Sequence, residues 1–169
     1  MQREQLPVEV RDAGPTDVAA IARIYAQGVH DRMATLESDP KSDDEIAEWL
    51  FAEPPGRYPI VVALASGEVV GWAALRPYSH RCAYRGVGDL SVYVARESRG
   101  KGVGGRLLAA LEQRARASGI HKIVLFALSD NRTGRALYDK HGFCEVGVHR
   151  EHGILDGRLR DVVVMEKIL

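Results

Sequence analysis

The apolar positions change their spacing along the chain, and each change marks an element. Val8 to Arg11 reads as a short strand. Pro15-Thr16-Asp17 then opens a helix with Val18, Ile21, Ala22, Tyr25 and Val29 on one face. Proline suits a first helical turn, and spacings of three and four form a buried stripe. Asp31 to Lys41 is polar and irregular. Ser42-x-x-Glu45 is a capping box for a second, short helix that buries Ile46, Trp49 and Leu50. Pro54-Pro55-Gly56 breaks the chain. Pro59 to Ala65 and Glu68 to Leu75 predict two strands joined at Ser66-Gly67 as a hairpin. A loop rich in Arg, Tyr and His runs from Arg76 to Gly88, and Asp89 to Ala95 is the central strand. Gly104 to Ser118 is a long helix with Leu107, Leu108, Leu111 and Ala115 on one face, ended by Gly119. Lys122 to Ala127 is the next strand, and Asn131 to His141 a helix ended by Gly142. Phe143 to His149 and Asp161 to Ile168 are closing strands, with an Asp156-Gly157 turn between them.

The resulting order, β-α-α-β-β-β-α-β-α-β-β, contains no repeat and no linker. It predicts an α/β (α+β) fold: one domain over 1–169 with a mixed central sheet and helices on both faces. A chain of 169 residues is long enough to bury a real core.

Composition narrows the partners. The formal net charge is +0, so no field favours nucleic acid or an anionic membrane. No apolar run approaches the ~20 residues of a membrane span, and M-Q-R-E-Q-L-P carries no signal-peptide pattern. A cytoplasmic setting is the expectation. Cys82 and Cys144 form neither a disulfide framework nor a metal spacing, and read as ordinary thiols of a reducing compartment. Six histidines lie scattered without an H-x-x-x-H pair, and no metal site is expected. His80 alone falls in the loop after the second hairpin strand.

The chemistry concentrates in R-G-K-G-V-G-G, Arg99 to Gly105, between the central strand and the long helix. Glycines let a backbone approach a ligand, and free N–H groups at a helix start bind phosphate. Gly100, Gly102 and Gly105 fit the dinucleotide pattern G-x-G-x-x-G. Four residues separate the strand from the first glycine, however, and Asp130 comes too late to serve as the ribose acid. A plain turn would need one glycine, not four in six positions. The other frame is Arg99-x-x-Gly102-x-Gly104. It resembles the acetyl-CoA pyrophosphate loop of the GNAT N-acetyltransferases, and the element order resembles the GNAT fold over nearly the full length.

That resemblance implies acetyl-CoA as co-substrate. Arg99, Gly100, Lys101, Gly102, Val103, Gly104 and Gly105 would cradle its pyrophosphate. The backbone of Val92, Tyr93 and Val94 would pair with pantetheine, as extended ligands add to strand edges. Asn131 resembles the asparagine that bonds a pantetheine amide, and it also suits a helix N-cap. Y-A-Q-G-V-H-D-R-M-A-T-L-E-S-D-P, the Ala83-Tyr84 pair, S-V-Y-V and H-G-I-L-D-G-R-L-R-D-V look like the phosphinothricin N-acetyltransferase subfamily. That subfamily acetylates the α-amino group of glutamate-like amino acids such as phosphinothricin and methionine sulfoximine. D-R-M-A-T-L-E-S-D-P and S-V-Y-V-A-R-E-S-R-G-K-G look closest to a branch that acetylates arsinothricin. The resemblance further implies a small-molecule acceptor, a detoxifying role and a homodimer.

Acyl transfer to an amine needs a base for the ammonium proton, stabilisation of the thioester oxygen and a proton for the departing thiolate. Asp89 stands where the subfamily carries a glutamate base; it is one methylene shorter, so direct reach and reach through a bridging water both stay open. Its bland alternative is a strand-edge aspartate, solvated or paired with Arg85. Tyr138, seven residues after Asn131, stands where many GNAT enzymes place a tyrosine acid; phosphinothricin enzymes often have a histidine. Its alternative is a half-buried aromatic. Arg81 and Tyr84 occupy the subfamily's Arg and Tyr positions, with Arg76 a second arginine suited to a carboxylate, phosphinate or arsinate. Thr35 lines the same expected pocket, while Met33 and Leu36 pack. Leu159 replaces the subfamily's frequent Trp or His. Two further readings stay open: acetylation of a peptide N-terminus or polyamine, and a non-catalytic acetyl-CoA sensor.

Overall fold

Every apolar segment read as a strand joins one sheet. A computed structural model describes residues 5–52 and 57–169; Pro54-Pro55-Gly56 lies outside the described residues. The elements are β1 (Glu9–Asp12), α1 (Val18–His30), α2 (Asp43–Phe51), β2 (Ile60–Ala65), β3 (Glu68–Pro77), β4 (Val87–Val94), α3 (Val103–Ala117), β5 (Lys122–Leu128), α4 (Arg132–Lys140), β6 (Cys144–Leu155) and β7 (Arg158–Ile168). The strands lie in the order β1-β2-β3-β4-β5-β7-β6. All neighbours pair antiparallel except β4 and β5. The sheet is mixed, with α1 and α2 on one face and α3 and α4 on the other.

Alternation along the strands splits the core in two. Val61, Ala63, Ala73, Leu75, Leu125 and Met165 pack with Leu107, Leu108, Leu111 and Ala115 of α3. Val62, Trp72 and Ala74 point the other way, against Ile21, Ile24, Tyr25, Ile46 and Leu50 of α1 and α2. Strands covered on both faces read as continuous apolar runs, which is why β2 and β3 lack polar alternation. A buried ion pair locks α3 to the sheet: Lys167 Nζ donates to both Glu112 oxygens at 2.8 Å and to the His141 carbonyl at 2.7 Å.

Local chemistry sets the element starts. The Ser42 hydroxyl accepts from the Glu45 amide at 3.2 Å, and the Glu45 carboxylate accepts from the Ser42 amide at 2.7 Å, so the capping box forms as spaced. Pro15–Asp17 makes a separate 3-10 turn before α1. There Asp17 accepts two Arg11 donors at 2.8 Å and the Gly14 amide at 2.9 Å.

Two boundaries differ from expectation. The loop read as Arg76 to Gly88 is shorter, because Arg76 pairs with Asp89 and Pro77 with Gly88, extending β3 and β4. The closing strands also run up to their turn, where Asp156 and Gly157 both take positive φ (51° and 72°), the geometry of a two-residue hairpin. A register irregularity between His149 and Gly153 and the polar run around it hide that continuity from the sequence.

The sheet contains a fork. β4 and β5 pair only over Val87–Asp89 and Lys122–Val124. Beyond Asp89, β4 stays with β3 to Val94 while β5 stays with β7 to Leu128. Two strand edges therefore face each other across a gap.

Candidate active site

The fork opens a cavity of about 620 Å³. Leu90, Ser91, Val92 and Tyr93 form one wall; Phe126, Ala127, Leu128, Asn131 and Tyr138 form the other. Tyr25, Thr35, Glu37, Lys41 and Trp49 close it from the α1–α2 side, and Arg76 and Asp89 also line it.

Asp89 is the last β4 residue paired with β5, so the strands part at its carboxylate. Burial pushes that carboxyl up from 3.8 to about 6, and the nearby Arg76 cation restrains the rise. No hydrogen bond or ion pair from another described residue holds it. The alternative partner, Arg85, does not pair with it. Arg76 lies directly across the strand pair from Asp89, but its guanidinium carbon sits over the Trp49 ring, 5.6 Å from the centroid. The Asp89 carboxylate and the Arg76 cation thus border one space without forming an ion pair.

An aromatic cluster supports this end. Trp49 meets Tyr25 at 5.4 Å and Trp72 edge-on at 5.9 Å, and Trp72 stacks on Tyr93 at 4.9 Å. Lys41 Nζ lies 5.8 Å from the Trp49 centroid. Burial raises the Tyr25 phenol to about 12 and the Tyr93 phenol further, while the Thr35 hydroxyl beside both works against the rise.

Tyr138 comes from α4, is 9% exposed, and packs edge-on against Phe143 at 5.7 Å. Burial pushes its phenol up to about 12, so it keeps its proton at neutral pH. Asn131 caps α4, its Oδ1 accepting from the Gly134 amide at 3.0 Å, and also lines the cavity. Asn131 thus serves as the N-cap while standing on the cavity wall.

The glycine-rich turn divides by purpose. Gly100 and Gly102 take φ values of 73° and 84°, conformations that disfavour a side chain. A Cβ on Gly100 would meet nothing within 4 Å, so its surface is open to a ligand. Gly104 and Gly105 instead admit α4: a Cβ there would lie 2.9 Å from a Leu137 methyl and 2.8 Å from His141 Nε2. The first N–H groups of α3 are left without helical acceptors, as at any helix start. This open turn at a helix start fits a pyrophosphate, and the facing strand edges fit an extended pantetheine arm.

The Arg99 side chain is already engaged. Its Nη1 donates to Asp31 at 2.5 Å and its Nε to the Val94 carbonyl at 3.0 Å. Lys101 is exposed, its carbonyl accepting from the Leu6 amide at 3.1 Å, and the Val103 side chain is core. Val94 and the turn lie outside the cavity wall proper.

Arg81 and Tyr84 are not brought to the cavity. Both are exposed, on a 3-10 turn (Cys82–Tyr84) that leads away after Pro77, with Tyr84 edge-on to Tyr78 at 5.6 Å. His80 is exposed on the same segment, and Leu159 is exposed near the hairpin tip. Sequence reasoning missed Lys41 and Phe126 and treated Trp49 as plain core. The usable signal for Trp49 was its place at the edge of the α2 stripe, beside the fully packed Ile46 and Leu50.

Comparison with known proteins agrees with this geometry. The model of the acetyltransferase (GNAT) family matches residues 21–143. The chain is 35% identical over 162 residues to the L-methionine sulfoximine/L-methionine sulfone acetyltransferase of Pseudomonas paraeruginosa, covering 95% of this chain and 94% of that one. It is 30% identical over 165 residues to the phosphinothricin N-acetyltransferase of Streptomyces coelicolor, covering 96% of each. A phosphinothricin acetyltransferase from Sinorhizobium meliloti, solved in complex with AcCoA, superposes with a TM-score of 0.88 at 32% identity, covering 96% of this chain and 88% of that one. A forked mixed sheet, a glycine turn at the head of α3 and a family match over most of the length lead to one assignment: this chain belongs to the acetyltransferase (GNAT) family and is an N-acetyltransferase.

Proposed function

We propose that the protein transfers the acetyl group of acetyl-CoA to the α-amino group of a small glutamate-like amino acid analogue of the phosphinothricin, methionine sulfoximine or arsinothricin type. The carrying observation is the Arg76–Asp89 pair. A cation and an unpaired carboxylate stand opposite each other on adjacent strands, both facing the cavity. An α-amino acid presents a carboxylate and an ammonium on one carbon, and this pair is complementary to both. Relatives acting on such analogues support the reading.

The residues divide the work. Ionised Asp89, poised near neutrality, takes the ammonium proton directly or through one water. Arg76, with Thr35 lining the same cavity, orients the acceptor's anionic group; its planar fork matches two oxygens. Acetyl-CoA supplies the activated carbonyl. A backbone N–H of Val92, Tyr93 or Val94 steadies the developing oxyanion, and Tyr138 gives its proton to the departing sulfur. Asn131 and the turn from Arg99 to Gly105 hold the donor, the turn through its backbone N–H groups. Arg81 and Tyr84 are assigned no acceptor contact.

We further infer a homodimer, consistent with Val146, Val148, Ile154 and Leu159 standing exposed on the β6–β7 hairpin, and a detoxifying role in the cytoplasm. Light scattering tests the dimer. Thiol release from acetyl-CoA tests the reaction, with phosphinothricin, methionine sulfoximine, arsinothricin, glutamate, spermidine and a short peptide as acceptors. Turnover confined to the glutamate analogues is the expected result. Turnover of the peptide or spermidine alone refutes the acceptor class. Silence with all acceptors despite acetyl-CoA binding favours a sensor.

A further inference from the structure

We propose that Asp31 is a positioning residue, coupling the acetyl-CoA turn to the acceptor side of the cavity. The inference rests on the reading of Arg99 to Gly105 as the donor site.

Asp31 follows the last turn of α1 and is acceptor to two arginines. Arg96 Nη2 donates to it at 2.6 Å and Arg99 Nη1 at 2.5 Å. Both arginines belong to the segment that joins β4 to α3. The Arg96 amide also donates to Gln27 Oε1 at 2.8 Å, one turn back in α1. Arg99 reaches back to the end of β4 through the Val94 carbonyl. One carboxylate therefore ties the end of α1 to both the end of β4 and the turn. Those hydrogen bonds hold the Asp31 carboxyl below the usual carboxylate range.

The same point governs the acceptor side. Arg32, at φ 57°, donates through Nη1 to the Ser38 carbonyl at 2.8 Å and pairs through Nε with Asp156 at 3.1 Å. The segment that carries Thr35 and Glu37 into the cavity is thus fastened at its first two residues, one toward the donor turn and one toward the hairpin tip. Arg99, held by Asp31, shapes the turn instead of swinging onto the phosphates. Asp89 and Tyr138 stand on β4 and α4, outside this clamp.

The test is Asp31→Asn beside Arg99→Gln and the double variant, as full chains. Acetyl-CoA affinity is read by calorimetry, and both KM values and kcat by thiol release. Each single variant is expected to weaken acetyl-CoA about five-fold, the scale of one partly exposed ion pair. Asp31→Asn should also raise the acceptor KM, with kcat at saturation within about two-fold. The double variant should be no worse for acetyl-CoA than either single one. Unchanged affinity and KM in folded Asp31→Asn, or additive losses in the double variant, overturn the coupling. If Asp31→Asn does not fold, undiminished acetyl-CoA affinity in Arg99→Gln overturns it. Failure of the unaltered protein to bind acetyl-CoA overturns the donor-site reading itself, and the coupling with it.

Discussion

Replacing Asp89 by Asn should cost activity and add stability, and the added stability should depend on pH. The ionised carboxylate is half-buried without a hydrogen bond, and that desolvation raises its value from 3.8 to about 6. Between those values the folded state binds a proton that the unfolded state has lost, so stability falls as pH rises through the window. Linkage puts the cost of ionised Asp89 at about 3 kcal/mol at pH 7.5 and about 1 kcal/mol at pH 4.5. Asn does not titrate, so Asp89→Asn should gain about 2 kcal/mol more over the parent at pH 7.5 than at pH 4.5. Any pH-independent packing change cancels in that comparison. Urea unfolding at the two pH values measures it. In thiol release, the parent's kcat/KM should rise with pH through about 6 and then level off, because the proposed base is the ionised form of a carboxyl raised to about 6. The variant should lose on the order of 10²–10⁴ in rate along with that inflection. A stability difference equal at both pH values would refute the buried, unpaired charge. A variant that keeps the inflection near 6 would show that another group is the base.

Tyr138→Phe should lower kcat by about 10² or more and leave the acetyl-CoA KM unchanged, as steady-state kinetics with varied donor will read. Arg76→Ala should raise the KM of anionic acceptors by about ten-fold. It should also move the kcat/KM inflection to higher pH, because Arg76 is the charge that restrains the Asp89 carboxyl. Glu112→Ala should destabilise the fold by about 3 kcal/mol in urea titration, since it strands the Lys167 ammonium. Adding Lys167→Met to that variant should recover much of the loss.

The sequence revealed the elements well because their signals are local. The capping box at Ser42, the stripe of α3 and the glycines closing α3 and α4 each act within a few residues. The cavity wall was legible where one strand carries it: Asp89, Val92 and Tyr93 all line it. What escaped depends on pairing between strands. Leu90 to Val94 reads as one continuous strand, and nothing in it says that its β5 side is unpaired beyond Asp89. Arg76 and Arg81 look alike in composition, but the extra pairs Arg76–Asp89 and Pro77–Gly88 carry the first to the cavity and leave the second outside. The Arg99–Asp31 contact spans 68 positions and has no local signature.

The aromatic cluster has an optical consequence. The chain has two tryptophans, and both belong to that cluster. All tryptophan emission therefore originates beside the cavity. Trp72 is fully buried with its indole N–H unpartnered among the described residues, a blue-shifted emitter. Trp49 lies at the wall with the Arg76 guanidinium over its ring. On the proposed assignment, an acceptor whose anionic group draws Arg76 away changes the emission of Trp49, so its binding is readable in the native fluorescence without a label.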